Sequence, residues 1–149
     1  METQQRLILF LNRLLSNYFV VHTKWYRYQW FAKGPHVILL KKTFRQFQEA
    51  WEKDLQLIAE HILYLNGKPF ATMVKFIKES SLEEAQADDL ESEMFEQIER
   101  DLRAIVHDIE KEGIPLAKEA EDLFTIFFLL QIQSNIRRIL NECRDISFD

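Results

Sequence analysis

The stretch Tyr28-Gln29-Trp30-Phe31-Ala32-Lys33-Gly34-Pro35-His36 closes a long run of periodic apolar residues with a glycine and a proline. Glycine readily supplies the left-handed residue that ends a helix, and a following proline has no N–H with which to continue one. The chain holds only three glycines and three prolines, and they occur together as Gly34-Pro35, Gly67-Lys68-Pro69 and Gly113-Ile114-Pro115. Read as three stops, they divide the chain into four helix-bearing segments, the simplest route to an antiparallel four-helix bundle. The expected helices span residues 4–33, 38–66, 71–79, 89–112 and 116–142 of a single all-α domain over residues 1–149. The short 71–79 helix lies in the loop between the second and third long ones.

Working outward, the apolar period supports each segment. The first carries Leu7, Phe10, Leu11, Leu14, Leu15, Tyr18, Phe19, His22, Trp25, Tyr26 and Trp30, close to the i, i+3, i+4, i+7 spacing of one helix face. Leu40, Phe44, Phe47, Trp51, Leu55, Ile58, Ile62 and Leu65 mark the second, and Phe95, Ile98, Leu102, Ile105 and Ile109 the third. Trp25, Trp30 and Trp51 read as core and interface packing. Ile126-Phe127-Phe128-Leu129-Leu130 is apolar on every side, so part of the last helix is expected to meet another subunit. In the middle segment Met73, Phe76 and Ile77 form an apolar side. Ser80-Ser81 before Glu83-Glu84 reads as a break and a new N-cap, with Asp88-Asp89 heading the third long helix.

Composition narrows the partners. With 47% apolar residues in 149, the chain can bury one real core. Its net charge of -5 argues against a general nucleic-acid binder. Residues 1–78 hold 12 Lys and Arg against 5 Asp and Glu, whereas residues 79–149 hold 7 against 19. Such asymmetry either drives subunits together or leaves two differently charged faces. One cysteine, Cys143, builds no disulfide framework and suits a reducing cytosol. Leu7 to Leu11 is too short for a signal-peptide core, and Ile126 to Leu130 falls far below the roughly 20 residues of a membrane span. A cytoplasmic protein without a membrane segment is expected.

With the layout in place, the opening stretch resembles the end of the first helix of Dps proteins, ferritin-like shells that protect bacteria during starvation. Asn66-Gly67-Lys68-Pro69-Phe70-Ala71-Thr72, Glu79-Ser80-Ser81-Leu82-Glu83 and Ile58-Ala59-Glu60 are similar to the same family in order and spacing. The resemblance implies subunit pairs across the short helix, a twelve-subunit hollow shell, and iron oxidised at a site shared by two subunits. It also implies where the ligands stand. Histidines of the family fall at Gln29 and Lys41, carboxylates at Arg45 and Gln56, and a glutamate at Glu60. Glu60 alone keeps an acid.

Ferrous iron needs anionic and imidazole donors, and Lys41 and Arg45 put like charge where the metal would sit. At about 4 Å and an effective dielectric of about 20, one such repulsion on a dication is of order 8 kcal/mol before salt and relaxation. The resemblance therefore implies a degenerate ferroxidase site. Lys41 and Arg45, like Gln56 and Glu60, are i,i+4 pairs on a common broad face. If subunits pair as in the family, Glu60 of one faces Lys41 or Arg45 of the other, and an intersubunit salt bridge fills the vacated site. The alternative is solvated side chains that never meet.

Other metal constellations are thin. A Glu-x-x-His pattern of an intrasubunit di-iron centre is absent, because Phe19, Ile58 and Ala104 stand three residues before His22, His61 and His107. His22, on the stripe of Tyr26 and Gln29, and His61, beside Glu60, are the substitute metal candidates, each set against a hydrogen-bonded core histidine. His36, in the loop, is a further weak one. Arg6 is the one early cation, which argues against DNA binding through a basic tail; a patch of Lys41, Lys42 and Arg45 competes with a buried interface. The function expected is stress protection or iron storage with its own oxidation site lost. The alternative is a structural or regulatory bundle without iron, acting on a protein partner or in a mixed shell. A third reading, an active oxidase with a relocated site, puts metal near His22 or His61.

Overall fold

The computed structural model describes residues 2–85 and 90–146. The elements are α1 (Glu2–Phe31), α2 (Val37–Tyr64), α3 (Met73–Glu79), α4 (Glu91–Asp108), a π turn (Ile109–Gly113), α5 (Ile114–Glu119) and α6 (Leu123–Asp145). The α4, π and α5 segments run on as one rod, since Ile109, Gly113 and Ile114 all keep right-handed helical angles. Four long members, α1, α2, α4–α5 and α6, thus make an all-α four-helix bundle, with α3 in the connection between the second and third.

The three expected stops behave differently. At the first, Gly34 takes a φ of +117°, the left-handed region glycine permits. At the second, Asn66 takes that role with φ 62°, and the Gly67 N–H closes the helix onto the Ile62 carbonyl at 2.9 Å. The third expectation is wrong. A helix runs through Gly113-Ile114-Pro115, and the turn comes at Ala120 to Asp122, with Glu121 at φ 54°. The last helix therefore starts at Leu123, not 116, and ends at Asp145, not 142. The physical reason is the π turn, in which the Ile114 N–H reaches back to the Ile109 carbonyl. One extra residue in a wide turn accommodates Pro115, whose ring would collide in a regular α turn.

Gly113 answers a need other than termination. A Cβ there would stand 2.5 Å from Cε2 of Phe10, so the glycine lets α1 approach the π turn.

Smaller corrections follow from caps. Thr72 accepts the Lys75 N–H at 3.3 Å, so α3 begins at Met73 instead of 71. Ser80 and Ser81 do not start a new helix. Ser80 ends α3, and the Asn17 side chain receives the Ser80 hydroxyl at 2.7 Å and the Ser81 N–H at 2.9 Å. The third long helix starts at Glu91 after Leu90, without a side-chain cap, in place of 89; Asp88-Asp89 lie outside the described residues. The first two long helices are shifted from 4–33 and 38–66 to Glu2–Phe31 and Val37–Tyr64.

One buried cluster joins all the long members. Trp25, Trp51, Tyr18, Tyr28 and Phe44 are its largest side chains, with Tyr18 stacked on Trp51 at 3.9 Å between centroids. All eight apolar positions expected on the second helix are buried. Trp30 is outside the core of its own chain, being 68% exposed with its ring 5.5 Å from that of Tyr26. In α3 only Phe76 is buried, stacked on Phe19, while Met73 and Ile77 face outward. In α6, Leu129 packs inward and Phe127 is 60% exposed, so the all-round apolar run leaves an apolar face uncovered. Asn12 ties down the loop after α2, donating to the Lys68 carbonyl at 3.1 Å and accepting the Phe70 N–H at 2.9 Å.

Candidate functional site

The five positions of the expected iron site fall on α1 and α2. Gln29 is buried and donates to the Trp25 carbonyl of its own helix at 3.2 Å. Lys41, Arg45, Gln56 and Glu60 are exposed on α2 and make no hydrogen bond or ion pair with another described residue. At 1.5 Å per residue, Lys41 and Glu60 lie about 28 Å apart along one helix, so one chain cannot bring them together. The donor set does not suit iron. One carboxylate and two neutral amides accompany two cations, so the set as a whole is positive and does not offset the charge of a dication.

The substitute candidates are engaged elsewhere. His22 Nε2 lies 3.4 Å from Gln48 Nε2, and its ring meets Tyr26 edge-on at 5.1 Å. Burial pushes its pKa down, with Glu52 pulling the other way. His61 is 6% exposed and stacked flat on Phe128 at 4.2 Å. Its Nε2 lies 2.8 Å from Thr125 Oγ1, and that hydroxyl donates to Asp122 Oδ2 at 2.5 Å. Since Thr125 spends its proton on Asp122, the imidazole is the donor to Thr125. Burial also lowers the His61 pKa, against the pull of Asp122. His36 Nδ1 lies 3.4 Å from Glu91 Oε2. Among the described residues, no group of three or more His, Cys, Asp or Glu within one chain is placed to hold a metal ion.

Two buried polar features were not read from the sequence. Lys24 Nζ pairs with Asp101 Oδ2 at 2.7 Å, with side-chain exposures of 3% and 6%. A signal existed, because Lys24 falls between Val21 and Tyr28 on the buried side of α1, and Asp101 between Ile98 and Ile105 on that of α4. Asp54 is buried beside Asn135, whose amide donates to both carboxylate oxygens at 3.1 Å. Burial raises the Asp54 pKa, while Asn135 and Arg138 counter it. Burial, with Glu142 and Glu99, pushes the Cys143 thiol up to about 12, which disfavours the reactive thiolate. No helix among the described residues is long and apolar enough to cross a membrane.

This bundle, with its short α3 between the second and third long members, matches known proteins. A family model for the ferritin-like domain matches residues 8–147. General stress protein 20U of Bacillus subtilis (strain 168) is 31% identical over 134 residues, covering 90% of this chain and 92% of that protein. DNA protection during starvation protein 2 of Bacillus anthracis is 29% identical over 134 residues, 90% of this chain and 91% of that protein. Among solved structures, a Dps protein from Bacillus brevis superposes with a TM-score of 0.92 at 25% identity, over 97% of this chain and 96% of the other. The chain belongs to the ferritin-like family, as a Dps member. It stands therefore among the stress-protection and iron-storage proteins of that family.

Proposed function

We propose that this chain is a self-associating stress-protection or iron-storage subunit whose own ferroxidase positions do not oxidise iron. The observation that carries this reading is the pair of cations at two of the five ligand positions. Lys41 and Arg45 are exposed and form no ion pair with another described residue, so an approaching dication meets two cations in place of two ligands. Iron is then cargo rather than a resident cofactor. The acidic second half of the chain supplies the carboxylates that attract it, and oxidation is slow.

Self-association into pairs and a twelve-subunit shell is supported by apolar surface that one chain leaves open. Leu123, Phe124 and Phe127 on α6 and Val74 on α3 are each at least 60% exposed. Protection by grip on DNA has less support, since Arg6 and Arg13 of α1 are already paired with Glu119 and Glu112. The test is aerobic addition of ferrous iron to purified protein, following loss of ferrous iron and growth of a ferric core. Slow, non-saturating oxidation with core formation is expected. Fast saturable oxidation refutes the reading.

A further inference from the structure

Asn66-Gly67 joins two residues whose combination makes a backbone self-reactive, and the fold asks for both. Asn66 stands just past α2 at φ 62°, a conformation that asparagine takes more readily than most residues. Position 67 has no room for a side chain, since a Cβ there would lie 2.8 Å from Ile8 Cγ2 and 3.0 Å from Ile62 Cγ2. Of the five asparagines, Asn66 alone precedes glycine; Asn12, Asn17, Asn135 and Asn141 precede larger residues and lie inside α1 and α6. A glycine leaves its backbone nitrogen unshielded beside the amide carbon of the exposed Asn66. The same turn holds that nitrogen back. The Gly67 N–H donates to the Ile62 carbonyl and the Asn66 N–H to the Leu63 carbonyl, each at 2.9 Å. Side chains of α1 fasten the segment on both sides. Gln4 Nε2 donates to the Leu65 carbonyl at 3.0 Å, Asn12 Nδ2 donates to the Lys68 carbonyl at 3.1 Å, and Asn12 Oδ1 accepts the Phe70 N–H at 2.9 Å.

We infer that Asn66 is a self-modification site, deamidated when the C-terminal turn of α2 opens. Once the Gly67 N–H is released from Ile62, hydroxide from solvent takes its proton and the nitrogen bonds to Cγ of Asn66. The Cγ–Nδ2 bond breaks, ammonia leaves, and a five-membered imide joins residues 66 and 67. Water then opens this ring. Addition at Cγ gives aspartate; addition at the backbone carbonyl carbon gives isoaspartate, whose chain runs on through Cβ and Cγ. Water is the co-reactant, and nothing is oxidised or reduced. The isoaspartate places an extra methylene between Cα of residue 66 and the Gly67 nitrogen, which carries that N–H away from the Ile62 carbonyl. Either product adds a carboxylate to a cleft of about 650 Å³ that Asn66 shares with Glu119, Glu121 and Asp122. Of these, Glu119 has Arg6 at 3.5 Å to offset it. Like charge then opposes closing the turn again. The change is therefore a lasting mark on chains whose α2 end has opened.

Peptide mapping by mass spectrometry tests this on full-length chains held at one temperature and pH: wild type, Gln4→Ala, Asn12→Ala and Asn66→Gly. Wild type in guanidinium chloride is the open reference, and circular dichroism checks folding. In the folded wild type, deamidation is expected at Asn66 and at no other asparagine. Its rate should lie at least about tenfold below that of the unfolded chain, because two hydrogen bonds must open first. Gln4→Ala and Asn12→Ala each loosen the segment and should raise the rate by about twofold to tenfold. Asn66→Gly keeps a residue suited to the left-handed conformation and should abolish the signal. Asn12 is buried, so should its variant misfold, Gln4→Ala, altered at an exposed side chain, carries the comparison. A folded rate equal to the unfolded one, or an unchanged rate in Gln4→Ala, overturns the gating by the turn. Equal conversion at other asparagines, or no conversion at Asn66 in any folded chain while the unfolded chain reacts to completion, overturns the site.

Discussion

Replacing Asp101 by asparagine should be the most damaging single change among the charged residues of this protein. Lys24 and Asp101 meet at 2.7 Å with almost no solvent exposure. At that distance and an effective dielectric of about 20, their attraction is about 6 kcal/mol. Desolvation takes back several kcal/mol for each ion, so the intact pair is close to neutral for stability. Removing one partner is different, because the other stays buried without compensation, at a cost of about 3–5 kcal/mol. For a chain of this size that lowers Tm by about 6–20 °C. The structure also sets an order. The Arg100 guanidinium lies 3.9 Å from Asp101 Oδ1, so Asp101 left alone in Lys24→Met keeps one cation nearby, whereas Lys24 left alone in Asp101→Asn has no other ion pair among the described residues. Asp101→Asn should therefore cost more than Lys24→Met, and the double variant Lys24→Met/Asp101→Leu should recover most of the loss. Urea unfolding followed by circular dichroism, at one fixed protein concentration so that self-association does not shift the result, measures all three. A loss below about 1 kcal/mol for Asp101→Asn would show a hydrated pair and refute the reasoning. The reverse order would remove the role given to Arg100.

Gly113→Ala should destabilise by about 1–2 kcal/mol, because the new methyl group overlaps the Phe10 ring and outweighs the helix propensity gained; in a Phe10→Leu background the same change should cost less in urea unfolding, and an equal cost in both backgrounds would contradict the close approach. Acid should weaken the fold from near pH 6.5 downward. Burial lowers the pKa of His22 and His61 below their ordinary 6.5, so the unfolded chain takes up protons first and their contribution, present above 6.5, is lost as pH falls through the folded values. Asp54 and Asp108, raised by burial from 3.8, act oppositely, favouring the fold as pH falls through their own window above 3.8. Stability against pH for wild type and for His22→Gln/His61→Gln checks this, and an unchanged slope between pH 7 and 6 would count against it.

The fold was legible because its signals are local. The core stripe of α2 and the closures at Gly34 and Asn66-Gly67 depend on spacing and on residues that are neighbours in the chain. The misreading at Gly113 has an equally definite cause. Glycine and proline are strong punctuation, yet both serve another purpose there, glycine by making room for Phe10 and proline by sitting after a π turn. The turn itself falls on Glu121, a residue type that rarely takes a positive φ and so leaves no sign. Trp30, read as core and interface packing from its place in the first stripe, stands outside the core of its own chain, because period alone does not say how wide a face the neighbouring helix covers. At the candidate site, the identities of Gln29, Lys41, Arg45, Gln56 and Glu60 were plain, while their surroundings were not. Gln29 proved buried, and the other four stand exposed on one helix.

By itself the sequence determined the four-helix plan, the family, and the loss of all but one acidic or imidazole group at the expected iron positions. Those follow from residue type and from periods of three and four, which act along the chain. The tertiary structure decided which apolar face is covered, that Lys24 and Asp101 neutralise each other, and that His61 is held by Thr125 and Asp122 over 60 residues away. It also decided that Lys41, Arg45 and Glu60 stand exposed, with no hydrogen bond or ion pair to another described residue. Such matters depend on helices distant in sequence packing side by side, and burial, which sets the strength of every charge and hydrogen bond here, exists only once they have done so.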